Sequence, residues 1–464
     1  MRVGKINASE FISGDRRLNG SYYLSEDELA MRTLRRWRGR FSTLREVTLA
    51  DGIYNGGIFR MIEAADGDHG QPYVSAKDLV MADIVPKTFL SNSHGQLLDK
   101  LRLHEGTILL TCSGMNLGKS IWVRPELEGL CASGDLIRIQ ADSSIVPPGY
   151  LHAFLSSRFG WVSVRQLIFG GNIKHVEPEA VSKIRIPRLK PDVETKCHEL
   201  VARAGRERSI ARIEINEAIS ELSDAIGLRQ LSCGNISSYG TSTVSASELN
   251  SRFDATYHAR LAQEAMQAVS QTTAEVRLLK SVTERMFKPP MFKRLWVTDP
   301  KFGRQFVSGN NAYRYYADDP RYVSTRTPSF EEFILKNGWL VFQAAGQVYG
   351  LFGKPLLVSG WLDGTFCADD IYRVVPRTPQ DGAYLYAFLK TGHGEILLKR
   401  QASGNSIPRV WDPQMHQLTV PWAKKQIRDR IGNKVLAAHL RIEDARLNEQ
   451  EAVHLVERVI EEAS

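Results

Sequence analysis

Two short segments have the composition of nucleotide-binding or nuclease sites. Residues 113–120 read Ser-Gly-Met-Asn-Leu-Gly-Lys-Ser, which is one residue short of the loop that cradles nucleotide phosphates. Residues 346–351 repeat the glycine pair but lack the Lys-Ser, so we interpret both segments as hairpin turns. Residues 191–196, Pro-Asp-Val-Glu-Thr-Lys, resemble the motif of a metal-dependent nuclease. Carboxylates this close together would not converge on one metal but suit a helix dipole, so we predict a helix N-terminus there.

Other catalytic signatures are missing from the sequence. The segment Lys288-Pro-Pro-Met291 is not the Asn/Asp-Pro-Pro-Tyr/Phe motif of an amino-methyltransferase. The eleven histidines are dispersed without an H-E-x-x-H pattern. The five cysteines have no C-x-x-C spacing, which favours free thiols in a reducing cytoplasm over a zinc site. We therefore expect no catalysis, no cofactor and no metal in this chain alone.

Contact with DNA is favoured by two segments, residues 165–175 and 399–409, that combine basic residues, amides and glycine. DNA affinity comes largely from Lys and Arg at phosphates, and specificity comes from side chains that reach base edges. The candidates in these segments are Arg165, Asn172, Lys174, His175, Arg400, Asn405 and Arg409. Glycine lets the backbone approach a phosphate, whereas Asn and Arg can pair with bases. The alternative is a turn in which the Asn caps the backbone.

Residues 283–305 interleave aromatic and basic side chains, which suits a loop that contacts a DNA groove. The candidates in this loop are Arg285, Lys288, Lys293 and Arg294. A solvated basic loop with buried rings is the alternative. The same two interpretations apply to the early cluster around Trp37, whose basic members are Arg35, Arg36, Arg38 and Arg40.

Length and charge agree with a multidomain DNA-binding protein. The chain has 464 residues, enough for two or more domains. Its 43% hydrophobic and 24% charged residues are typical of a globular protein. The net charge of +8 suits a polyanionic partner, although a merely basic soluble protein would share it. The sequence indicates neither a signal peptide nor a membrane span, so we expect a cytoplasmic protein.

The elements that must position these segments occur twice. The matches keep one order, and their offset stays between about 232 and 238 residues. An ordered set of this kind indicates one module in two copies. The matching segments are 8–10 with 246–248, 17–22 with 252–257, 106–118 with 338–350, 131–138 with 367–373, 151–155 with 385–389, 171–172 with 404–405, and 186–187 with 420–421.

Each copy ends in a long helical tract, at residues 191–226 and 423–462. Apolar residues recur there in steps of three and four on a charged background, and the nearby prolines lie at the starts. Before each tract, short β-rich runs alternate with Gly, Asn and Asp turns, which predicts mixed helix and sheet. Residues 231–245 are rich in Ser, Gly and Thr and are typical of a linker.

In this order of elements the chain resembles the specificity subunit of Type I restriction-modification systems. The strand with its glycine turn, the Ala-Phe-Leu helix at 153–155 and 387–389, and the Gly-Asn segment before a final strand carry the resemblance. It implies an α+β fold of two repeated mixed α/β target-recognition domains joined by two long antiparallel helices. The predicted parts are a first domain 1–190, a first spacer helix 191–230, a linker 231–245, a second domain 246–422 and a second spacer helix 423–464.

The resemblance also implies a function. Each domain would read one half of an interrupted DNA site, and the helices would dock a DNA adenine methyltransferase that binds S-adenosylmethionine. A restriction and translocation subunit would complete the complex. Differences between the copies, such as Ser406-Ile-Pro408 where the first has Ile173-Lys174, leave open a divergent branch in another antiphage system. The alternative function is a two-module scaffold that binds protein partners in a defence or repair complex.

Overall fold

The computed structural model describes residues 25–86, 88–168, 175–231, 241, 243–249, 252–317, 320–404 and 406–463. The chain divides into two compact units. The first unit contains Met1–Ser209 and Asp444–Ser464, and the second contains Ile210–Glu443. No helix in the described part of the chain is long and apolar enough to cross a membrane.

The first unit places short helices around three small sheets. Its helices are α1 Glu26–Arg36, α2 Leu97–Leu101, α3 Pro148–Ser156, α4 Arg158–Arg165, α5 Pro178–Ser182 and the beginning of α6 Pro191–Ile226. Its strands are β1 Phe41–Thr43, β2 Thr48–Asn55, β3 Glu63–Ala64, β4 Gly70–Val74, β5 Thr88–Ser91, β6 Ile108–Thr111, β7 Ser120–Trp122, β8 Cys131–Ala132, β9 Leu136–Ala141 and β10 Arg185–Pro187.

The second unit is built from the corresponding elements. Its helices are α7 Arg260–Ser270, α8 Leu279–Val282, α9 Phe330–Phe333, α10 Pro379–Leu389, α11 Gly392–Arg400, α12 Asp412–Met415 and the beginning of α13 Lys425–Glu462. Its strands are β11 Glu275–Leu278, β12 Thr283–Phe287, β13 Trp296–Val297, β14 Gly303–Val307, β15 Tyr322–Ser324, β16 Leu340–Gln343, β17 Leu356–Leu357, β18 Phe366–Cys367, β19 Ile371–Pro376 and β20 Thr419–Trp422.

The order of strands is the same in both units. Each unit has two four-stranded sheets, and we call the one with more residues in its strands the larger sheet. The larger sheet runs β2-β9-β6-β7 in the first unit and β12-β19-β16-β17 in the second. The smaller sheet runs β3-β5-β4-β8 and β13-β15-β14-β18, with one parallel pair in each case. The two-stranded sheets are β1-β10 and β11-β20. The α+β fold with a repeated module is therefore confirmed. The repeat segments at 8–10, 17–22 and 171–172 lie outside the described residues.

Local sequence explains the central elements. Strand β6 reads Ile-Leu-Leu-Thr and is buried on both faces, as an unbroken apolar run requires. Helices α3 and α10 begin with proline at their first turn and are buried almost throughout. Tyr150 and Tyr384 on these helices each donate a hydrogen bond to a strand carbonyl, that of Pro187 and that of Pro421. The Ala-Phe-Leu helix is thus tied to the final strand in each unit.

The two long helices are confirmed, and each unit contains part of both. Helix α6 begins at Pro191, as the sequence predicts, and ends before Gly227, whose φ of 63° suits a helix C-terminus. Helix α13 begins at Lys425 rather than residue 423 because strand β20 extends to Trp422. The division at Ser209 and Glu443 assigns one stretch of each helix to each unit.

Within each unit the helix segments run antiparallel. In the first unit the thiol of Cys197 lies 3.7 Å from the carbonyl of Ala452. In the second unit Glu221 contacts Arg430 and Lys434, whereas Glu214 lies 3.1 Å from Arg441. Rising numbers in α6 therefore meet falling numbers in α13. Apolar contacts fill the seam in both units, with Val201 and Val456 in the first and Ile215 and Val435 in the second.

Polar groups buried beside the helix seam differ between the units. In the first unit Arg124 pairs with Glu126 at 2.6 Å, and Arg208 lies 3.6 Å from Glu449. Burial raises the pKa of Glu449 and lowers that of Arg124 to about 10. In the second unit the polar group is the half-buried His439, whose Nε2 is inaccessible to solvent and whose Nδ1 lies 3.1 Å from the Ser359 hydroxyl. The two repeated modules therefore place different polar groups beside the helix seam.

Candidate nucleic-acid interface

The glycine turns, residues 112–118 and 344–350, connect neighbouring strands of the larger sheets. Gly114 and Gly118 have φ of 71° and 88°, where glycine is favoured. The amide of Gly118 donates to the Thr111 carbonyl, and that of Lys119 donates to the Asn116 carbonyl and the Thr111 hydroxyl. These amides therefore do not form a phosphate cradle, and the interpretation of the segment as a hairpin turn is confirmed.

The nuclease-like segment is a helix N-terminus, as predicted. Glu194 is buried in the first turn of α6 and accepts hydrogen bonds from the Leu189 amide and the Arg188 guanidinium, both at 2.9 Å. A carboxylate used in this way is held by protein donors on both oxygens. The described residues contain no group of three or more His, Cys, Asp or Glu that could hold a metal ion.

A segment of chain returns along each glycine turn. In the first unit His175 pairs antiparallel with Ser113, and the Val176 amide donates to the Cys112 carbonyl at 3.0 Å. In the second unit Arg409 pairs with Ala345, and the Val410 amide donates to the Ala344 carbonyl at 2.9 Å. The structure therefore brings together two features that are about 60 residues apart in sequence.

The candidates in these return segments have different surroundings. Arg409 is exposed, and His175 is partly exposed at the equivalent position. Arg165 is exposed at the end of α4, where it pairs with Asp27 at 2.9 Å and lies 6.0 Å from the Trp161 ring. The predictions for Asn172, Lys174 and Asn405 fall on residues outside the described part of the chain.

Arg400 is held by the protein itself. Its guanidinium lies 3.7 Å from the centre of the Tyr257 ring, and its Nε donates to the Tyr257 carbonyl at 2.8 Å. Burial lowers the pKa of Arg400. These contacts give the side chain a structural role, so we leave it out of the DNA contacts proposed below.

The repeated Arg-x-x-x-x-Tyr segment explains why Arg400 is held. Arg252 donates to the carbonyls of Arg400, Gln401 and Ala402, at and just beyond the C-terminus of α11. Its guanidinium also pairs with Asp254 at 2.7 Å and lies 4.5 Å from the Tyr257 ring. Unpaired carbonyls at a helix C-terminus favour a cation, so this segment caps α11. From sequence, the segment at residues 252–257 is recognisable only as part of the repeat.

The loop at residues 283–305 has the buried rings of one interpretation given from sequence and the outward-facing cations that the other, a groove contact, requires. Phe287 is buried at the end of β12, with the exposed Arg285 guanidinium 3.9 Å from its ring. Arg285 also pairs with Glu332 at 3.0 Å. Lys293 and Arg294 are exposed. The rings thus anchor the loop while the cations face outward.

Lys288 connects this loop with the return segment of the same unit. Its ammonium lies 6.0 Å from the ring of Trp411, two residues beyond Arg409. The second unit therefore brings the loop at residues 283–305 into contact with the return segment that carries Arg409. In the early cluster of the first unit, Arg35 pairs with Glu28 at 3.3 Å, whereas Arg38 and Arg40 are exposed.

Two further arginines match in the repeat but are inaccessible to DNA. Arg138 and Arg373 are almost completely buried in β9 and β19. Arg138 donates to the carbonyls of Leu101 and Ala132 at 3.0 and 3.1 Å. Arg373 donates to those of Cys367 and Ala368 at 2.9 and 3.0 Å. Burial lowers the pKa of both guanidinium groups, and both connect the larger sheet of their unit with β8 or β18.

Comparison with known proteins gives a likeness only to solved structures. No family model matches the chain, and no curated protein matches it. The S subunit of a Type I restriction-modification system from M. genitalium is 11% identical, with a TM-score of 0.39, over 92% of this chain and 96% of that chain. The HsdS subunit from Thermoanaerobacter tengcongensis is 14% identical, with a TM-score of 0.28, over 91% and 96%.

A third solved structure concerns the complex assembly and conformational transition of the type I R-M system. It is 13% identical, with a TM-score of 0.29, over 92% of this chain and 96% of that chain. Two of the three solved structures are thus S or HsdS subunits, the class that the sequence resembles, and the third concerns the type I R-M system.

Proposed function

We propose that this chain is a sequence-specific DNA-recognition subunit that reads a bipartite site. The main support is the repetition of one module with the same strand order and the same return of chain along a glycine turn. A repeated module suits an interrupted site with two separately read halves, as dimeric DNA-binding proteins suit two half-sites. Arg409 and His175 occupy equivalent places in the two modules.

Cations that are exposed, or half-buried in the case of Lys288, supply the affinity in this proposal. The proposed phosphate contact of the first module is Arg165. Those of the second module are Lys288, Lys293, Arg294 and Arg409. Each phosphate neutralised releases counterions, so binding should weaken steeply with salt. Asn172, Lys174 and Asn405 stay predictions from sequence as base or phosphate contacts.

The chain itself is non-catalytic in this proposal. A partner DNA adenine methyltransferase, which carries S-adenosylmethionine, would dock on α6 and α13, and a restriction or translocation subunit would join it. Exposed apolar residues on these helices support a docking role, since Ile213 is 55% exposed and Leu440 is 68% exposed. Large apolar side chains in water favour a protein partner where they form part of a patch.

A binding assay tests the proposal directly. The full chain, alone and with its co-purified partner, is titrated with random-sequence duplex DNA at several salt concentrations. The Arg409→Ala variant should bind more weakly and lower the log–log salt slope by about one, and Lys288→Ala should do the same. In the titrations of the chain alone, Lys196→Ala is a matched control because Lys196 is exposed on α6 near Glu199.

The two-module scaffold is the rival function. It predicts no binding to duplex DNA even at low salt with the partner present. It also predicts that Arg409→Ala and Lys196→Ala behave alike. Either result would overturn the DNA-recognition proposal.

A further inference from the structure

The first and second units present equivalent loops before the first strand of the smaller sheet. These tip loops are residues 56–62, between β2 and β3, and residues 288–295, between β12 and β13. The Ser91 amide donates to the Ile62 carbonyl at 2.9 Å, and the Ser324 amide donates to the Leu295 carbonyl at 2.8 Å. Because these hydrogen bonds join repeat-equivalent residues, the bases of the two tip loops are fixed in the same way.

Each tip loop is anchored by one phenylalanine. Phe59 packs against the cluster that contains Leu90 and Leu101, and its ring lies 5.6 Å from that of His94. Phe292 lies 4.6 Å from the ring of Phe333 in the second unit. A ring held in the core fixes the position of its chain neighbours, so each loop presents the adjacent residues from a defined place.

The residue before each ring is apolar and faces water. Ile58 is fully exposed, and Met291 is 84% exposed. A single exposed apolar side chain is ordinary, but here the same position is exposed in both modules. Further large apolar side chains are exposed beside them, at Ile62 in the first loop and Leu295 in the second. Burying such a side chain is favourable, so a small patch of this kind suits contact with a partner.

Charge identifies the partner. The residue after each ring is an exposed cation, Arg60 in the first loop and Lys293 in the second. Neither tip loop contains Asp or Glu, and the second also carries Lys288 and Arg294. An apolar tip next to cations matches a duplex groove, where base edges and thymine methyl groups lie between rows of phosphates. Apolar side chains also enter grooves as wedges between base steps.

We propose that each tip loop enters a groove of double-stranded DNA, with Ile58 or Met291 against the bases and Arg60 or Lys293 on a flanking phosphate. This inference rests on the proposed function and adds the mode of contact and the first-module loop. The proposal predicts that the apolar residues and the cations affect DNA binding in different ways. The apolar tip contributes to sequence preference, whereas the cation contributes affinity that salt weakens.

The test compares variants of the full chain, with its co-purified partner, on two duplexes. Selection from a random duplex library gives the preferred sequence, and a scrambled sequence is the reference. Ile58→Ala and Met291→Ala should each lower the preferred-to-scrambled affinity ratio at least roughly fivefold, with an unchanged salt slope. Arg60→Ala and Lys293→Ala should each lower the salt slope by about one on both duplexes.

The matched control is Ile145→Ala, since Ile145 is 44% exposed between β9 and α3. It should leave both affinities unchanged. If the parent prefers its selected sequence but Ile58→Ala and Met291→Ala keep the full ratio, the groove contact is overturned while the proposed function stands. If those variants instead lose a protein partner and bind DNA normally, the tip loops are protein contacts. If the parent has no sequence preference, the proposed function itself fails, and the groove contact fails with it.

Discussion

His439 is neutral inside the second unit, and acidification should therefore destabilise that unit. Its ring is half-buried on α13, with Nε2 inaccessible to solvent, and it lies 5.2 Å from the ring of Tyr386 and is hydrogen-bonded to Ser359. Burial, assisted by the charge of Lys390, lowers its pKa from 6.5 to about 4. The unfolded chain thus binds a proton more readily than the folded unit does. Stability that is present above pH 6.5 is lost as the pH falls toward 4.

The size of this loss follows from the two pKa values. A difference of about 2.5 in pKa corresponds to about 3.4 kcal/mol once the pH is below both values. At pH 5 the unfolded histidine is almost fully protonated and the folded one is mostly neutral, which gives a loss of about 2 kcal/mol. His439→Asn keeps a hydrogen-bonding group near Ser359 but cannot titrate, so it should remove this part of the pH dependence.

Hydrogen exchange of strand β19 measures the stability of the second unit at pH 8, 6 and 5, after correction for the intrinsic exchange rate. Strand β9 is an internal control because it lies in the first unit. That unit has its own buried histidine, His152, with a pKa of about 3, which the substitution leaves in place. Between pH 8 and 5, the free energy of opening at β19 should fall by about 2 kcal/mol less in His439→Asn than in the parent. The free energy of opening at β9 should be the same in both proteins. An equal loss of stability at β19 in parent and variant would show that protonation of His439 does not destabilise the second unit.

Three further predictions concern the fold and the spacing of the half-sites. Arg373→Met leaves buried carbonyls without donors and should destabilise the second unit by about 2–4 kcal/mol, measured by denaturant unfolding; no change would contradict its structural role. Arg252→Ala should increase hydrogen exchange at the end of α11 without lowering the salt slope of DNA binding, and a lower slope would show that Arg252 contacts phosphate. Inserting four residues near Ala211 adds about 6 Å of helix and should change the non-specific gap of the methylated site by about one or two base pairs. An unchanged gap in an active variant would mean that the helices do not measure distance.

Local elements could be predicted from sequence where the chain itself carries the signal. Pro191 and the three- and four-residue apolar steps place α6, and the apolar run at Ile108 places β6. The repeat could also be read because its motifs keep one order. Helix α13 was placed two residues early, since residue 423 follows Trp422 of β20 directly and has no helix-breaking signal of its own.

Contacts between distant residues could not be predicted in the same way. Nothing near Arg400 in the sequence indicates that Tyr257 and Arg252 surround it, so a structural arginine resembles a DNA contact. The return of Arg409 beside Ala345 is likewise a property of the fold. The equivalence of Ile58 and Met291 has no strong sequence signal either, because their loops differ in length and the phenylalanine is their only identical residue.

Adenine methylation mapped across the host genome, with and without this gene, shows whether the chain directs a methyltransferase to bipartite sites. We expect methylated adenines in sites made of two fixed short sequences separated by a constant number of unspecified bases. These sites should lose methylation when the gene is deleted and regain it when the parent gene is restored. A methylation pattern that is unchanged by the deletion, or a gene-dependent site with one uninterrupted sequence, would show that the chain does not read a bipartite site.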